Sequence, residues 1–250
     1  MALAPDPLAP EVFAAHIAPI IDRLRLAVAR RTKQLSTVAG LSTSAGVGEP
    51  AFQLLMMMRN TFPDRALGAQ QLGAAFMYQR PGAAVPLLDD LRDAGLIEGR
   101  ADSLMLLSAQ GRDLMGRLIV ASTDAVNELW GADTSNAAQL LPLADRALAA
   151  ATPSGGAGLE LMTPAYDAPD ASAEAKLAER LAGLRFHRFD AHVAAWKAAG
   201  LTAQTVKALA PSPEREAIEV DTNRRAGSAY ATLDPSERLD LLAGLGALPG

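Results

Sequence analysis

The chain has 250 residues, half of them hydrophobic and only 4% aromatic, with a formal net charge of −5. That length suits one large or two modest domains, and the Ala- and Leu-rich composition favours helices. It contains no cysteine, which excludes disulfides and thiolate metal sites and fits a cytoplasmic protein. No apolar run reaches the roughly 18 residues of a membrane span, so no membrane partner is expected. The first ten residues carry three prolines and no basic start, and do not read as a signal peptide.

From Glu11 to about Ala39, apolar positions such as Ile17, Ile21, Leu24 and Val28 recur at helical spacing, with a kink expected near Pro19. Arg23, Arg25, Arg30, Arg31 and Lys33 make one face of that helix basic. It reads as a solvated face, a phosphate contact or a dimer interface. Residues 40–50 are rich in Gly, Ser and Thr and predict a loop. Phe52, Leu54, Leu55 and the three methionines that follow predict a short buried helix, the methionines as core filler.

Residues 66–107 carry the clearest local pattern. A short amphipathic helix over 66–76 is followed by a turn and a second helix over 83–94, closed by Gly95. Residues 96–98 and 104–107, around a polar tip, predict a β-hairpin. Ser108 then caps a helix running to about Trp130. The phrase Leu88-Asp89-Asp90-Leu91-Arg92-Asp93-Ala94-Gly95-Leu96-Ile97, followed by Leu107-Ser108-Ala109-Gln110-Gly111-Arg112, resembles the MarR-type regulators. The resemblance covers roughly residues 15–125. It implies a winged helix-turn-helix that dimerises through its terminal helices.

In a recognition helix the first residues meet base edges. Here these are Gln79, Arg80, Ala83 and Ala84, with Arg100 on the wing. Gln and Arg suit bases, but Pro86, Asp89, Asp90 and Asp93 follow. Residues 50–125 hold seven arginines, no lysine and eight acidic residues, a weak electrostatic footprint for a phosphate backbone. DNA binding, recruitment for small-molecule binding or catalysis, and a protein-interaction role all stay open.

Residues 132–171 predict a linker, with a small helix over 140–151 and a Gly- and Pro-rich mobile loop from Thr152 to Ala171. A long helix then runs from a cap at Asp170 or Ser172 to Gly200. Its apolar coverage is too broad for a surface helix. Within it, Arg185, His187, Arg188, Asp190 and His192 are too many polar groups to be buried unpaired. His187 one turn from Asp190 suggests a fixed tautomer, and Arg185 and Arg188 suggest a clamp for a carboxylate or phosphate. The alternative is a buried network tying this helix to Glu216, Glu219 and Asp221. His187 and His192 are about 140° apart around the helix, so a shared metal is not expected.

This helix, from Leu184-Arg185 through His187-Arg188, Asp190 and His192-Val193-Ala194-Ala195 to Ala199-Gly200-Leu201, resembles the signature helix of the SalK-type helix-turn-helix family. Residues 218–223 and 230–233 resemble a second phrase of that family. The resemblance implies a helix-turn-helix-related protein connected with secondary metabolism, and no particular reaction. A last helix begins at Asp234-Pro235, and its face of Leu241, Leu242, Leu245 and Leu248 is expected to meet a partner subunit.

No Walker loop, Rossmann glycine pattern, His-Glu-x-x-His or Gly-x-Ser-x-Gly elbow occurs, so no cofactor is expected. The expected fold class is mainly α: a winged helix-turn-helix with a small β-hairpin wing plus a helical C-terminal domain. Its parts are residues 1–131, a linker over 132–171, and 172–250. The expected function is a homodimeric, ligand-responsive, DNA-binding transcriptional regulator. Gln79, Arg80 and Arg100 would touch DNA, and a polar or anionic small molecule would sit beside Arg185, His187, Arg188, Asp190, His192 and Trp196. The alternative is the same scaffold recruited as a small-molecule-binding protein or enzyme of secondary metabolism.

Overall fold

A computed structural model describes residues 8–60, 65–80, 82–99, 104–131, 136–168 and 170–250. The first half contains α1 (Pro10–Gln34), α2 (Ser36–Ala45), α3 (Glu49–Met57), α4 (Ala69–Ala75), α5 (Ala84–Asp93), β1 (Ile97–Glu98), β2 (Leu106–Leu107) and α6 (Ala109–Trp130). The second contains α7 (Ala137–Ala151), α8 (Ala157–Met162), α9 (Ala173–Ala198), α10 (Ala203–Ala208), α11 (Pro213–Ala226) and α12 (Pro235–Ala247). The chain is thus mainly helical, with one small antiparallel sheet in which Ile97 faces Leu107 and Glu98 faces Leu106. Leu67 adds an isolated antiparallel bridge to Met105.

The 26-residue helix α9 organises the rest. Its start is fixed by the Ser172 hydroxyl, which accepts the Ala175 N–H, as an N-cap should. It ends before Gly200, which takes φ +76, a backbone region that glycine enters without strain. Its apolar residues fall on three sides because it borders three cores. Leu177, Leu181, Leu184 and Ala191 join a core built by α1, α6, α7, α11 and α12. Ala182 and Phe186 join the core of α2–α6, the sheet and α8. Val193, Ala195 and Trp196 join a small core with Ala203 and Ile218. The broad apolar coverage read from the sequence has this physical basis.

Several boundaries move. The first helix stops at Gln34, and Leu35 turns extended before α2 begins. Gly, Ser and Thr suggested a loop after residue 40, but Val38, Leu41 and Ala45 are buried on one face of α2, and that burial overrides weak helix propensity. Helix α1 continues past Pro19, which lies on its exposed side. Helix α7 begins at Ala137, before the expected Leu140.

The apolar face of α12 is covered within the chain rather than left for a partner. Leu241, Leu245 and Leu248 enter the first core. Arg23 donates to the carbonyls of Leu245, Gly246 and Leu248, and Trp130 Nε1 donates to the Pro249 carbonyl at 3.0 Å. No helix of the described residues is long and apolar enough to cross a membrane.

Phe13, fully buried on α1, meets the Tyr230 ring edge-on at 4.9 Å. Phe13→Ala is expected to cost about 3–5 kcal/mol in urea unfolding. A cost below 1 kcal/mol would mean that this ring is not part of the core.

Candidate functional site

Between α1, α9, α11 and the turn Gly227–Tyr230 lies a cleft of about 190 Å³. Its apolar wall includes Ala14, Ala18, Ile21, Leu184 and Ala226, and its polar groups are Asp22, Arg185, His187, Arg188, His192 and Tyr230. Four of the six residues expected at a ligand site therefore meet there.

Their partners define the chemistry. Arg185 reaches across the lip of the cleft to Asp22 at 2.6 Å. Arg188 donates to Asn223 at 2.6 Å and lies 3.4 Å from Glu219, both on α11. His192 Nδ1 is 3.1 Å from the Thr222 hydroxyl. Thr222 donates its own hydrogen to the Ile218 carbonyl at 2.7 Å, so it accepts from His192. That assigns the proton to Nδ1 and leaves Nε2 as an acceptor. His187 is 2% exposed. Its Nε2 meets the Ser154 hydroxyl at 3.0 Å, and Ser154 meets Ser228 at 2.9 Å. Both serines are exposed, so His187 forms a wall between the cleft and a pair of solvent-facing hydroxyls.

Burial holds both imidazoles below their ordinary value, against the opposing charges of Asp190 for His187 and Glu219 for His192. Each is a neutral base at neutral pH. Burial also holds the Tyr230 phenol well above its usual range, against the charge of Arg188, so it stays a hydrogen donor. Its hydroxyl has no hydrogen-bond partner among the described residues. The site can thus offer a donor at Tyr230 and an acceptor at His192.

Two expected ligand residues lie elsewhere. The Asp190 carboxylate does not hold His187. It accepts the backbone N–H groups of Gly156, Gly158 and Leu159 at 2.8, 3.1 and 2.7 Å, capping α8 from another helix. A Cβ on Gly158 would come within 2.7 Å of that carboxylate. Trp196 is buried in the third core, where its Nε1 donates to the Tyr78 hydroxyl at 3.1 Å. Its position three turns along α9 from the cleft's first residue takes it to α10. The segment expected to be a mobile loop is held at several points. Besides Asp190, Arg65 donates to the Glu160 and Thr163 carbonyls, and Arg180 binds Asp167 at 2.7 Å.

Gln79 and Arg80 are exposed and line a groove of about 610 Å³ between α4–α5 and the α9–α10 junction, with Lys197 and Gln204 opposite. Arg100 lies outside the described residues. The exposed side of α5 carries Val85, Pro86, Asp90 and Asp93, and its Arg92 is paired with Asp89. Among the described residues no cluster of three or more His, Asp or Glu is placed to hold a metal ion.

Sequence reasoning missed Tyr230, Ser154 and Ser228 as parts of the site. Tyr230, one of only three tyrosines, carried a weak signal; the serines carried none, because they sit in turns that only tertiary packing brings to His187.

Asp190→Ala is expected to destabilise the fold by about 2–4 kcal/mol, since charge-assisted bonds to buried N–H groups are lost. Asp190→Asn should recover part of this, and equal losses in the two variants would contradict the cap. The two histidines set a second expectation. Their folded pKa lies below the unfolded value of 6.5, so the unfolded chain binds more protons below that pH. Their contribution is complete above about pH 6.5 and is lost as pH falls. Melting temperature followed from pH 7.5 to 5 should drop more steeply for the wild type than for a His187→Asn/His192→Asn double variant; parallel curves would refute this. No family model, curated protein or solved structure matches this chain.

Proposed function

We propose that the chain is a small-molecule-binding protein whose ligand occupies the α1–α9–α11 cleft. The observation that carries this reading is an imbalance of partners. The cations on the cleft have counter-groups, Arg185 with Asp22 and Arg188 with Asn223 and Glu219. The Tyr230 hydroxyl and His192 Nε2 have none among the described residues. A cleft with compensated charge, an apolar wall and one donor beside one acceptor suits a small polar, uncharged molecule. Its volume of about 190 Å³ exceeds the roughly 150 Å³ that accommodates a benzene ring, so a ring with one polar substituent fits.

The scaffold reading that accompanies it is a winged helix-turn-helix over residues 49–107. It rests on the order α3, α4, turn, α5, β1, β2, on Gly82 at φ +79 in the turn, and on the Leu67–Met105 bridge beside the hairpin. A DNA-binding regulator is the second reading. It is favoured by the exposure of Gln79 and Arg80 just before α5. The acidic outer side of α5 opposes it, because an approaching phosphate backbone needs cations there.

The test is a thermal-shift and calorimetric screen of small phenols, cyclic ketones and cyclic alcohols of up to about eight heavy atoms, sized to the cleft. At least one class should stabilise the wild type, and Tyr230→Phe and His192→Ala should each weaken it about tenfold, or ~1.4 kcal/mol. Retained affinity in both variants would move the ligand elsewhere. Fluorescence anisotropy with duplex DNA should give no binding at low salt. Sub-micromolar, sequence-selective binding with a steep salt slope would establish the regulator instead.

A further inference from the structure

On the opposite side of Arg185 lies a second cavity, of about 240 Å³, between α1, α3, α8 and α9. Four cations line it: Arg25, Lys33, Arg59 and Arg185. They come from α1, from the 3-10 turn Met58–Asn60 and from α9, so three separate elements bring like charges to one space. Two carboxylates answer them. Glu179 is 3.6 Å from Arg59, and Asp22 pairs with Arg185 on the cleft side. The charge left over is about +2.

The side chains of Arg59 and Glu179 are only 12% and 17% exposed. Arg59 Nε and Glu179 Oε2 are buried with no hydrogen-bond partner. Arg25 donates to the Ala178 carbonyl at 3.1 Å, and that is the one partner of its guanidinium among the described residues. Burial, then the nearby charge of Arg59, bring its pKa down to about 10 against the opposing charge of Glu179. Gathering four cations against two carboxylates in a partly dry space is costly, and a bound anion relieves that cost. The remaining wall is soft and apolar, with Met57, Met162 and Phe186. Thioethers adapt to irregular apolar shapes and favour aromatic edges.

We propose that this cavity is a binding site for a small phosphomonoester with an apolar, ring-sized body. The phosphate would meet Arg25 and Arg59, with Lys33 at the mouth, and the body would lie on Met57, Met162 and Phe186. A phosphomonoester carries about −1.5 to −2 charges near pH 7, which matches the surplus, and guanidinium groups bind phosphate through paired hydrogen bonds. The inference does not rest on a ligand in the α1–α9–α11 cleft, with which the cavity shares Arg185. It gives a role to Arg25 and Lys33 on the basic face of α1, where Arg23 instead binds the last turn of the chain and Arg31 binds Glu128.

The experiment uses the full chain with phenyl phosphate as the probe, and inorganic phosphate, benzoate and phenol as comparisons. Calorimetry should show phenyl phosphate binding at least tenfold tighter than each of the other three. Methyl NMR of the methionines should show the Met57 and Met162 signals moving on titration. Arg25→Met removes a crowded cation, so the unliganded variant should melt at or above the wild-type temperature while binding phenyl phosphate at least tenfold more weakly. Lys33→Met should weaken it by a smaller factor, and Tyr230→Phe should leave it unchanged. The proposal is overturned by absence of binding, by benzoate or inorganic phosphate binding equally well, by unmoved methionine signals, or by wild-type affinity in Arg25→Met.

Discussion

The Asp190 carboxylate and the three N–H groups it accepts from Gly156, Gly158 and Leu159 are the junction on which the rest of the molecule depends. A six-residue helix such as α8 has too few internal bonds to form alone. Held at its start by a charge from α9, it closes the second core with Leu161 and Met162. The same anchorage fixes the preceding turn, and so puts Ser154 against His187. One carboxylate therefore couples a loop, a core and a wall of the cleft, and its apparent availability in the sequence was misleading.

Element types were largely legible in the sequence. Helix α6 begins at the expected Ser108 cap, whose hydroxyl accepts the Gly111 N–H, and the hairpin and α5 fall within two or three residues of their expected places. Strong periodicity and turn chemistry are local, and local signals survive without tertiary information. What failed was long-range. The Gly- and Pro-rich stretch from Thr152 read as mobile because its anchors, Asp190, Arg65 and Arg180, are distant in sequence. Residues 40–45 of α2 read as a loop because their weak propensity is overridden by packing against α6.

The polar helix was only half legible, for a related reason. The sequence suggested a clamp at Arg185 and Arg188, and these do share a cleft with His192. It could not say which charges find partners. Arg188 meets Asn223 and Glu219 across 35 and 31 residues of sequence, which leaves the cleft nearly neutral. Arg25, on a face whose role the sequence left open, turns toward the cavity it shares with Arg59 and Arg185. Sequence spacing reports direction around one helix; the sign of a site depends on what the neighbouring helices bring to it.

The close approach at Gly158 also constrains which chains can share this architecture. A Cβ at 158 would lie within 2.7 Å of the carboxylate of Asp190, 32 positions later, so a side chain cannot be added there while the acid keeps its place. A descendant that lost the acid would be free to carry a side chain at 158, and one that gained a side chain there would have to lose the acid. Wherever aspartate is kept at 190, glycine should therefore be kept at 158 through evolution, a paired mark by which distant relatives can be recognised even where the cleft residues have diverged.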